Sequence, residues 1–276
     1  MEKTTIEKVY ILPGQPHVLL SAESSPQWSS LRKSFDGVRE EIESSNADLI
    51  LYFSTQWLSV LGYMLQSDPN PKGVHVDGNW HHLGSMSYDF SVDTEFSKVC
   101  AEKIGSFGHL VKNVCYEGFP VDTGTIVAQK LINPHNKFPV AMVSCNIYSE
   151  KQETVQIGQA CAQALAKQNK KAIVVLVSSL SARFSTKEIL PKEDTISSAT
   201  DEHWNKKILN LLSQGDLKEV SELAVEFGQK AHADLGFKGS WWLSGISGQQ
   251  TRLRGKVFDY QPVWGTGAAL VGLYPC

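Results

Sequence analysis

Residues 172–182, AIVVLVSSLSA, begin with an unbroken apolar run and then change to small, mostly hydroxyl-bearing side chains. A short apolar run of this kind is typical of a strand buried on both faces of an α/β sheet. Residues 8–12 (KVYIL) and 48–53 (DLILYF) follow the same pattern and end in Pro13-Gly14 and Ser54-Thr55-Gln56. Ligands of open α/β sheets bind beyond the carboxyl ends of the strands. We therefore expect the functional site where these three segments end.

Strand-like apolar runs alternate with longer amphipathic segments along the whole chain, which is the pattern of an α/β fold. The sequence predicts a single domain over residues 1–276, with a central mixed β-sheet flanked by helices. Further strands are predicted at residues 110–114, 139–144, 257–260 and 268–273. Helices are predicted at residues 30–44, 94–107, 154–168, 203–213 and 217–233. Asp93 and Gly108 are expected to cap the second helix, and residues 66–90 and 185–200 to form surface loops.

The composition argues against several classes of function. The chain has 276 residues, 26 basic and 29 acidic ones, and a net charge of -3. This balance, with no Lys/Arg-rich run, disfavours binding to nucleic acid or to an anionic membrane. Neither a signal-like N-terminus nor a membrane-spanning apolar run is evident, so we expect a cytoplasmic protein. The five cysteines show no C-x-x-C spacing, which disfavours a zinc ribbon or a dithiol redox centre.

Signatures of common enzyme classes are incomplete in this chain. Gly245-Ile246-Ser247-Gly248 lacks the spacing of the G-x-S-x-G elbow that exposes a hydrolase serine. Gly265-Thr266-Gly267 is similar to the start of a dinucleotide-binding loop, but it precedes a predicted strand instead of opening a helix. We interpret both segments as tight turns.

The histidines give no clear metal-binding pattern. His81-His82 lies close in sequence to Asp77 and Asp89, but adjacent residues point in different directions, so a solvated loop is favoured over a metal cluster. His17 follows the first strand and is expected to face the crevice, with a histidine held by backbone hydrogen bonds as the alternative. Four other histidines are expected at the surface: His75, His109, His135 and His203.

Five stretches carry a resemblance that covers nearly the whole chain. They are residues 12–17 (LPGQPH), 53–57 (FSTQW), 121–126 (VDTGTI), 179–184 (SLSARF) and 265–268 (GTGA). In order and content, these stretches resemble the class III extradiol ring-cleavage dioxygenases, the protocatechuate 4,5-dioxygenase-like family. Each stretch is short, and it is their shared order that makes the resemblance specific.

The resemblance implies an iron site, and this chain departs from it at the ligand positions. Catalytic members of the family bind ferrous iron through two histidines and one glutamate, which leaves open positions for substrate and dioxygen. Gly14 stands where the first histidine is expected, and His17 is the histidine that survives in that stretch. Gln56 replaces the second histidine, and Asp234 aligns with the carboxylate.

Two further positions of the family site also differ. Ala182 replaces a histidine that acts as acid or base, a role worth roughly 10²–10⁴ in rate. Thr123 replaces a histidine or tyrosine. The resemblance therefore implies neither a catalytic residue nor a metal in this chain. The positions expected to form a degenerate pocket are Gly14, His17, Gln56, Thr123, Ala182 and Asp234.

The family also implies a partner. Its aminophenol dioxygenases combine a catalytic β subunit, which holds Fe(II), with a homologous α subunit that lacks the iron site. The resemblance assigns this chain the α role in an α2β2 heterotetramer. Its partner would cleave 2-aminophenol, or a substituted 2-aminophenol, with dioxygen to a 2-aminomuconic semialdehyde.

Two other interpretations remain open from the sequence. In the first, the chain is an enzyme in its own right, with a relocated metal site that uses His17, Asp234 and Asp122. In the second, the crevice binds an aromatic ligand or nucleotide and regulates the partner. The candidate side chains for that pocket are Trp57, Trp241 and Trp242.

Overall fold

Ten strands form the sheets in the computed structural model, which describes residues 5–248 and 252–276. In chain order they are β1 (Ile6–Leu12), β2 (Leu49–Ser59), β3 (Tyr63–Gln66), β4 (Lys72–His75), β5 (Met86–Asp89), β6 (Val111–Val114), β7 (Val140–Asn146), β8 (Ala172–Val177), β9 (Leu253–Val263) and β10 (Thr266–Pro275). Eight of them make one mixed sheet in the order β6-β3-β7-β2-β8-β1-β10-β9. Strands β4 and β5 pair separately as an antiparallel hairpin.

The centre of the large sheet is parallel. Strand β8 lies between β1 and β2 and is parallel to both. Val177 is in register with Leu12 on one side and with Ser54 on the other. Strands β1 and β8 therefore end at one edge, and β2 stops pairing with β8 at the same edge before it continues to Ser59. The register of β2 against β7 shifts between Ser54 and Leu58, which marks an irregularity just beyond that edge. The segments that begin at Pro13, Thr55 and Ser178 therefore meet.

Helices cover both faces of the sheet. They are α1 (His17–Leu20), α2 (Pro26–Glu43), α3 (Thr94–Ser106), α4 (Thr123–Ile132), α5 (Lys151–Gln168), α6 (Ala199–Ser213), α7 (Leu217–Ala231) and α8 (Lys238–Ser247). Alternate residues of β8 point to opposite faces, as expected for a strand. Val174 belongs to the core formed with α3, α5, α6, α7 and α8, and Val175 to the core formed with α2 and α4. The result is one α/β domain with three layers, which confirms the predicted fold class.

Most predicted elements are confirmed, and the predicted caps of α3 are present. Asp93 accepts a hydrogen bond from the Phe96 N–H at 3.0 Å, and Gly108 follows the helix with a positive φ of 87°. Trp264 and Gly265 form the tight turn between β9 and β10. The turn predicted at Gly265-Thr266-Gly267 is thus confirmed at Gly265 only, because Thr266 and Gly267 belong to β10. No helix among the described residues is long and apolar enough to cross a membrane.

Six of the strands and α-helices of the described residues were not predicted. Strands β4 and β5 lie inside residues 66–90, so the prediction of a loop there is wrong in part. Three of the four residues of β4 are exposed, which explains why this strand has no apolar signal. Helix α8 includes Gly245, Ile246 and Ser247, so the prediction of a tight turn there is wrong. Strand β3 and helices α1 and α4 complete the set.

Candidate functional site

A cavity of about 420 Å³ opens at the edge where β1 and β8 end and where β2 stops pairing with β8. It collects residues from these strand ends, from the segment after β4, from the start of α4 and from the turn after α7. Its lining consists of Gln15, Pro16, Gln56, His75, Asp77, Gly78, Asn79, Trp80, Asp122, Thr123, Ser179, Ala182, Phe184 and Asp234. The prediction that the strand ends form a crevice is thus confirmed.

Gln56 occupies the space beside Gly14. A β-carbon on residue 14 would lie 2.8 Å from Gln56 Nε2 and 2.6 Å from Gly124 Cα. A β-carbon on Gly124 would in turn lie 2.9 Å from Gln56 Cδ. Protein interiors are close-packed and leave no room for such overlaps. The two glycines and the glutamine side chain therefore fill this corner of the site together.

Asp234 begins the turn Asp234–Phe237 and ties two strand ends together. Its Oδ2 accepts hydrogen bonds from the Thr55 hydroxyl at 2.6 Å and from the Ser178 hydroxyl and the Ser179 N–H, both at 3.0 Å. Burial raises the pKa of Asp234, and the three hydrogen bonds oppose that shift. This carboxylate thus serves as a structural acceptor between β2 and β8.

Thr123 joins the β4–β5 hairpin to helix α4. Its hydroxyl donates to Asp77 Oδ2 at 2.5 Å and lies 2.7 Å from His75 Nε2. A hydroxyl has one proton, so His75 Nε2 is the donor in the second contact. His75 was expected at the surface and Asp77 in a solvated loop, yet both line the cavity. His81, on the other hand, is exposed, as predicted.

Two residues of the cavity lining each have a buried side-chain oxygen without a hydrogen-bond partner in the described structure: Gln15 Oε1 and Asp122 Oδ2. Asp122 uses Oδ1 to accept from the Ser54 hydroxyl at 2.7 Å and from the Thr125 N–H at 3.0 Å, which caps α4. Gln15 is 3% exposed and directs Nε2 to Ser179 and Thr266.

His17 does not face the cavity, so that prediction is wrong. Its ring is fully buried among three indoles, with centroid distances of 4.8 Å to Trp28, 4.5 Å to Trp80 and 5.6 Å to Trp264. Neither ring nitrogen has a hydrogen-bond partner in the described structure, which also overturns the backbone-bonded alternative. Burial lowers the pKa of His17 to about 4. Trp28 and Trp264 are far from His17 in sequence, so nothing local signalled this environment.

The aromatic side chains of the cavity are not the predicted ones. Trp242 is buried and stacks on Phe53 at 4.9 Å, and Trp241 donates to the Ser221 carbonyl at 3.0 Å, so both belong to the core. Trp57 is also mostly buried and lies outside the cavity lining. Trp80 and Phe184 form the aromatic part of the wall instead, with ring centroids 6.0 Å apart.

Ala182 lines the cavity next to the turn that carries Asp234. Its N–H donates to the His232 carbonyl at 2.9 Å, and Ser181 forms a bridge with Ala233. Its methyl group offers no proton donor or acceptor. The following residue, Arg183, points away to an ion pair with Asp201 at 2.8 Å.

Residues 8–271 match the family described as the catalytic LigB subunit of aromatic ring-opening dioxygenase. The chain belongs to this LigB family. It is 31% identical to the 2-aminophenol 1,6-dioxygenase alpha subunit of Pseudomonas sp. over 97% of this chain and 98% of the relative. It is 27% identical to the 2-aminophenol 1,6-dioxygenase beta subunit of Pseudomonas sp., over 95% and 92% of the two chains.

A solved structure shares the fold of this chain. The crystal structure of an uncharacterized protein from Escherichia coli K12 superimposes with a TM-score of 0.67 and 12% sequence identity. The match covers 97% of this chain and 99% of that one. At this identity the similarity concerns the fold alone.

The side chains at the strand ends do not fit the iron that the LigB family implies. Position 14 has no side chain, Gln56 has only a neutral amide, and Asp234 already accepts three hydrogen bonds. Ferrous iron in such sites is held by two histidines and a carboxylate. No group of three His, Cys, Asp or Glu side chains within residues 5–248 and 252–276 is placed to hold a metal ion, so His17, Asp122 and Asp234 form no relocated site.

Proposed function

We propose that this chain is the non-catalytic α subunit of a heteromeric extradiol dioxygenase that cleaves the ring of 2-aminophenol or a substituted 2-aminophenol. The observation that carries the proposal is the packing of Gln56 against Gly14 and Gly124. It fills the corner where the family places its first iron-binding imidazole. The 31% identity to an α subunit over nearly the full length of both chains supports the same role.

The size of the expected losses in metal affinity and reaction rate supports an inactive site. Loss of a residue that merely orients a metal ligand typically costs about 10–100-fold in metal affinity or activity. Here both imidazole positions are replaced directly, by Gly14 and Gln56. Ala182 adds the loss of an acid/base group, a contribution of roughly 10²–10⁴ in rate. In this proposal none of the pocket positions is catalytic, and the chain needs neither iron nor another cofactor.

The partner in this proposal is a homologous β subunit that holds Fe(II), and the assembly is an α2β2 heterotetramer. The chain is similar to both an α and a β subunit of one kind of enzyme, which supports a heteromer of related chains. The α subunit would stabilise the catalytic chain through their interface. It would bind only the folded form of that chain, and such binding shifts the folding equilibrium of the catalytic chain towards the folded state.

The test is to purify this chain and its candidate β partner separately and together. Iron content and the cleavage of 2-aminophenol are then measured for each preparation. We expect iron and product in the partner and the complex, with higher activity and thermal stability in the complex. Stoichiometric iron and full ring cleavage in this chain by itself would refute the proposal.

A further inference from the structure

Five large apolar side chains are exposed at one corner of the large sheet, where β2 and β7 end and where β3 and β6 begin. These five residues, between 46% and 73% exposed, are called the corner patch here: Leu58, Val60, Leu61, Leu110 and Tyr148. Backbone hydrogen bonds join the segments that carry them. The Ile147 N–H donates to the Ser59 carbonyl at 3.1 Å, and the Tyr63 N–H donates to the Leu110 carbonyl at 2.9 Å. The patch is therefore one continuous surface across four neighbouring strands.

The turn between β2 and β3 does not need the apolar side chains that it exposes. Solvent-facing turns are mostly built from Gly, Pro, Asn, Asp and Ser, whereas residues 58–62 read LSVLG. Gly62 reverses the chain with a φ of 67°, and its carbonyl accepts from the Ser59 hydroxyl and from Asn146 Nδ2, both at 2.8 Å. In no other place of the described chain are three large apolar side chains exposed within four positions. A role outside the isolated chain explains them better.

The area of the corner patch is close to what one side of a stable interface requires. Full burial of an aliphatic side chain removes roughly 60–120 Å² from water, and that of an aromatic one about 150–250 Å². With the exposed fractions of the five residues, the patch presents on the order of 400 Å² of apolar surface. A standard interface buries about 800 Å² per partner, of which about 60% is apolar. The patch can therefore supply most of the apolar area of one docking surface.

The absence of charge in the corner patch favours a permanent protein partner. Residues 58–62, 110 and 146–148 include no lysine, arginine, aspartate or glutamate. Permanent complexes have apolar interfaces whose centres are depleted of charged residues. Partners that are steered by charge need complementary charges at the contact. The patch thus fits the apolar surface of another folded subunit.

We propose that the corner patch is the surface through which this chain docks onto its homologous β subunit. The inference rests on the proposed function, because it takes the catalytic chain of the heteromer as the partner. Leu61 is 73% exposed at the turn and would insert into an apolar pocket of that subunit. Gln56 lies on the same face of β2 as Leu58 and Val60 and also lines the strand-end cavity. The docked subunit would therefore lie beside that cavity.

A pair of matched variants tests the docking surface. Leu61→Glu would place a charge at the centre of the interface, and Val225→Glu makes a similar change on α7, where Val225 is 52% exposed. The affinity of each full-length variant for the purified β partner is measured by isothermal titration calorimetry. We expect Leu61→Glu to weaken binding by at least about tenfold and Val225→Glu to leave it unchanged. Thermal unfolding of the isolated variants verifies that both are folded.

Hydrogen exchange of the unaltered chain provides a second measurement that needs no variant. Exchange is followed by mass spectrometry for this chain alone and in complex with the β partner. We expect slower exchange in the complex at residues 58–63, 109–111 and 147–149, with no comparable change across α7. This comparison decides the matter if Leu61→Glu does not fold.

Equal affinity of the two variants for the β partner would overturn the proposal, as would protection in the complex at other segments only. Light scattering of the isolated chain tests a second copy as the occupant. A homodimer that Leu61→Glu dissociates, with binding to the β partner retained, would likewise overturn the proposal. If the unaltered chain does not bind the β partner at all, the proposed α role itself fails. The two failures are therefore distinguishable.

Discussion

The Gln56 amide nitrogen lies 2.8 Å from where a β-carbon on residue 14 would stand, so Gly14 and Gln56 share the space of one larger side chain. Gly14 lies just beyond the end of β1, and Gln56 lies in β2 just beyond its last pair with β8. Since β1 and β2 both flank β8 in parallel, the two residues meet at one edge of the sheet although they are distant in sequence. The contact links the two iron-ligand positions of the family. A histidine at position 14 is incompatible with the backbone of Gly124 as it stands.

Replacement of Gly14 by alanine should destabilise the fold. The new methyl group would overlap Gly124 Cα, Gln56 Nε2 and Val177 Cγ1. Overpacking of this kind costs about 1–3 kcal/mol, measurable by urea denaturation. Gly105→Ala in α3 is the matched control, because a β-carbon there meets nothing within 4 Å. It should leave stability unchanged or raise it by up to about 1 kcal/mol. Equal stability of the two variants would contradict the close packing.

Asp234 should stabilise the fold as a hydrogen-bond acceptor and not through its negative charge. Asp234→Ala leaves the Thr55 and Ser178 hydroxyls and the Ser179 N–H without their shared partner. We expect a loss of about 1–3 kcal/mol in the free energy of unfolding. Asp234→Asn retains an acceptor oxygen and should lose clearly less. If both variants were equally destabilised, the negative charge itself would be what the strand ends require.

The buried ring of His17 should make the free energy of unfolding depend on pH. Its folded pKa of about 4 lies below the ordinary value of 6.5. Between these values the unfolded chain binds a proton that the folded chain excludes, so stability falls as the pH drops from 6.5 towards 4, by up to about 3 kcal/mol. His17→Phe should flatten this part of the profile in denaturant unfolding. His135→Phe, at an exposed position, should keep the wild-type pH profile. A wild-type slope in His17→Phe would refute the assignment of this pH dependence to His17.

The contact of Thr123 with Asp77 and His75 should hold the β4–β5 hairpin against the domain. Thr123→Val removes both hydrogen bonds at nearly constant volume, whereas Thr123→Ser retains the hydroxyl. Hydrogen exchange followed by mass spectrometry should show faster exchange across residues 72–89 in the valine variant only. Equal exchange in the two variants would mean that other contacts hold the hairpin.

The sequence predicts where the site lies better than it predicts which residues line it. Three apolar runs that end in small residues suffice to place Gly14, Gln56 and Ser179 at one edge, because the register of parallel strands follows from burial. His75 and Asp77 escaped prediction because they belong to a hairpin whose first strand is largely exposed and lacks alternation. That hairpin folds over the strand ends and closes the cavity from a direction that local patterns do not encode.

His17 shows a second limit of prediction from the sequence. Its place after the first strand pointed to the crevice, but three indoles from residues 28, 80 and 264 enclose it. Such contacts between distant segments depend on the packing of α2 and of the β9–β10 turn. Similarly, the paired tryptophans of α8 were candidates for a ligand pocket and instead fill the core. Side-chain type alone does not distinguish core from cavity.

In the proposed assembly this chain holds no iron and its β partner does. The most direct measurement is the metal content of the purified complex with its β partner, by plasma mass spectrometry, together with the chain stoichiometry. We expect as many iron atoms as partner chains, and unchanged iron in complexes that carry Gln56→Ala in this chain. Iron equal to the total number of chains, or loss of iron on substitution of Gln56, would refute the non-catalytic α role.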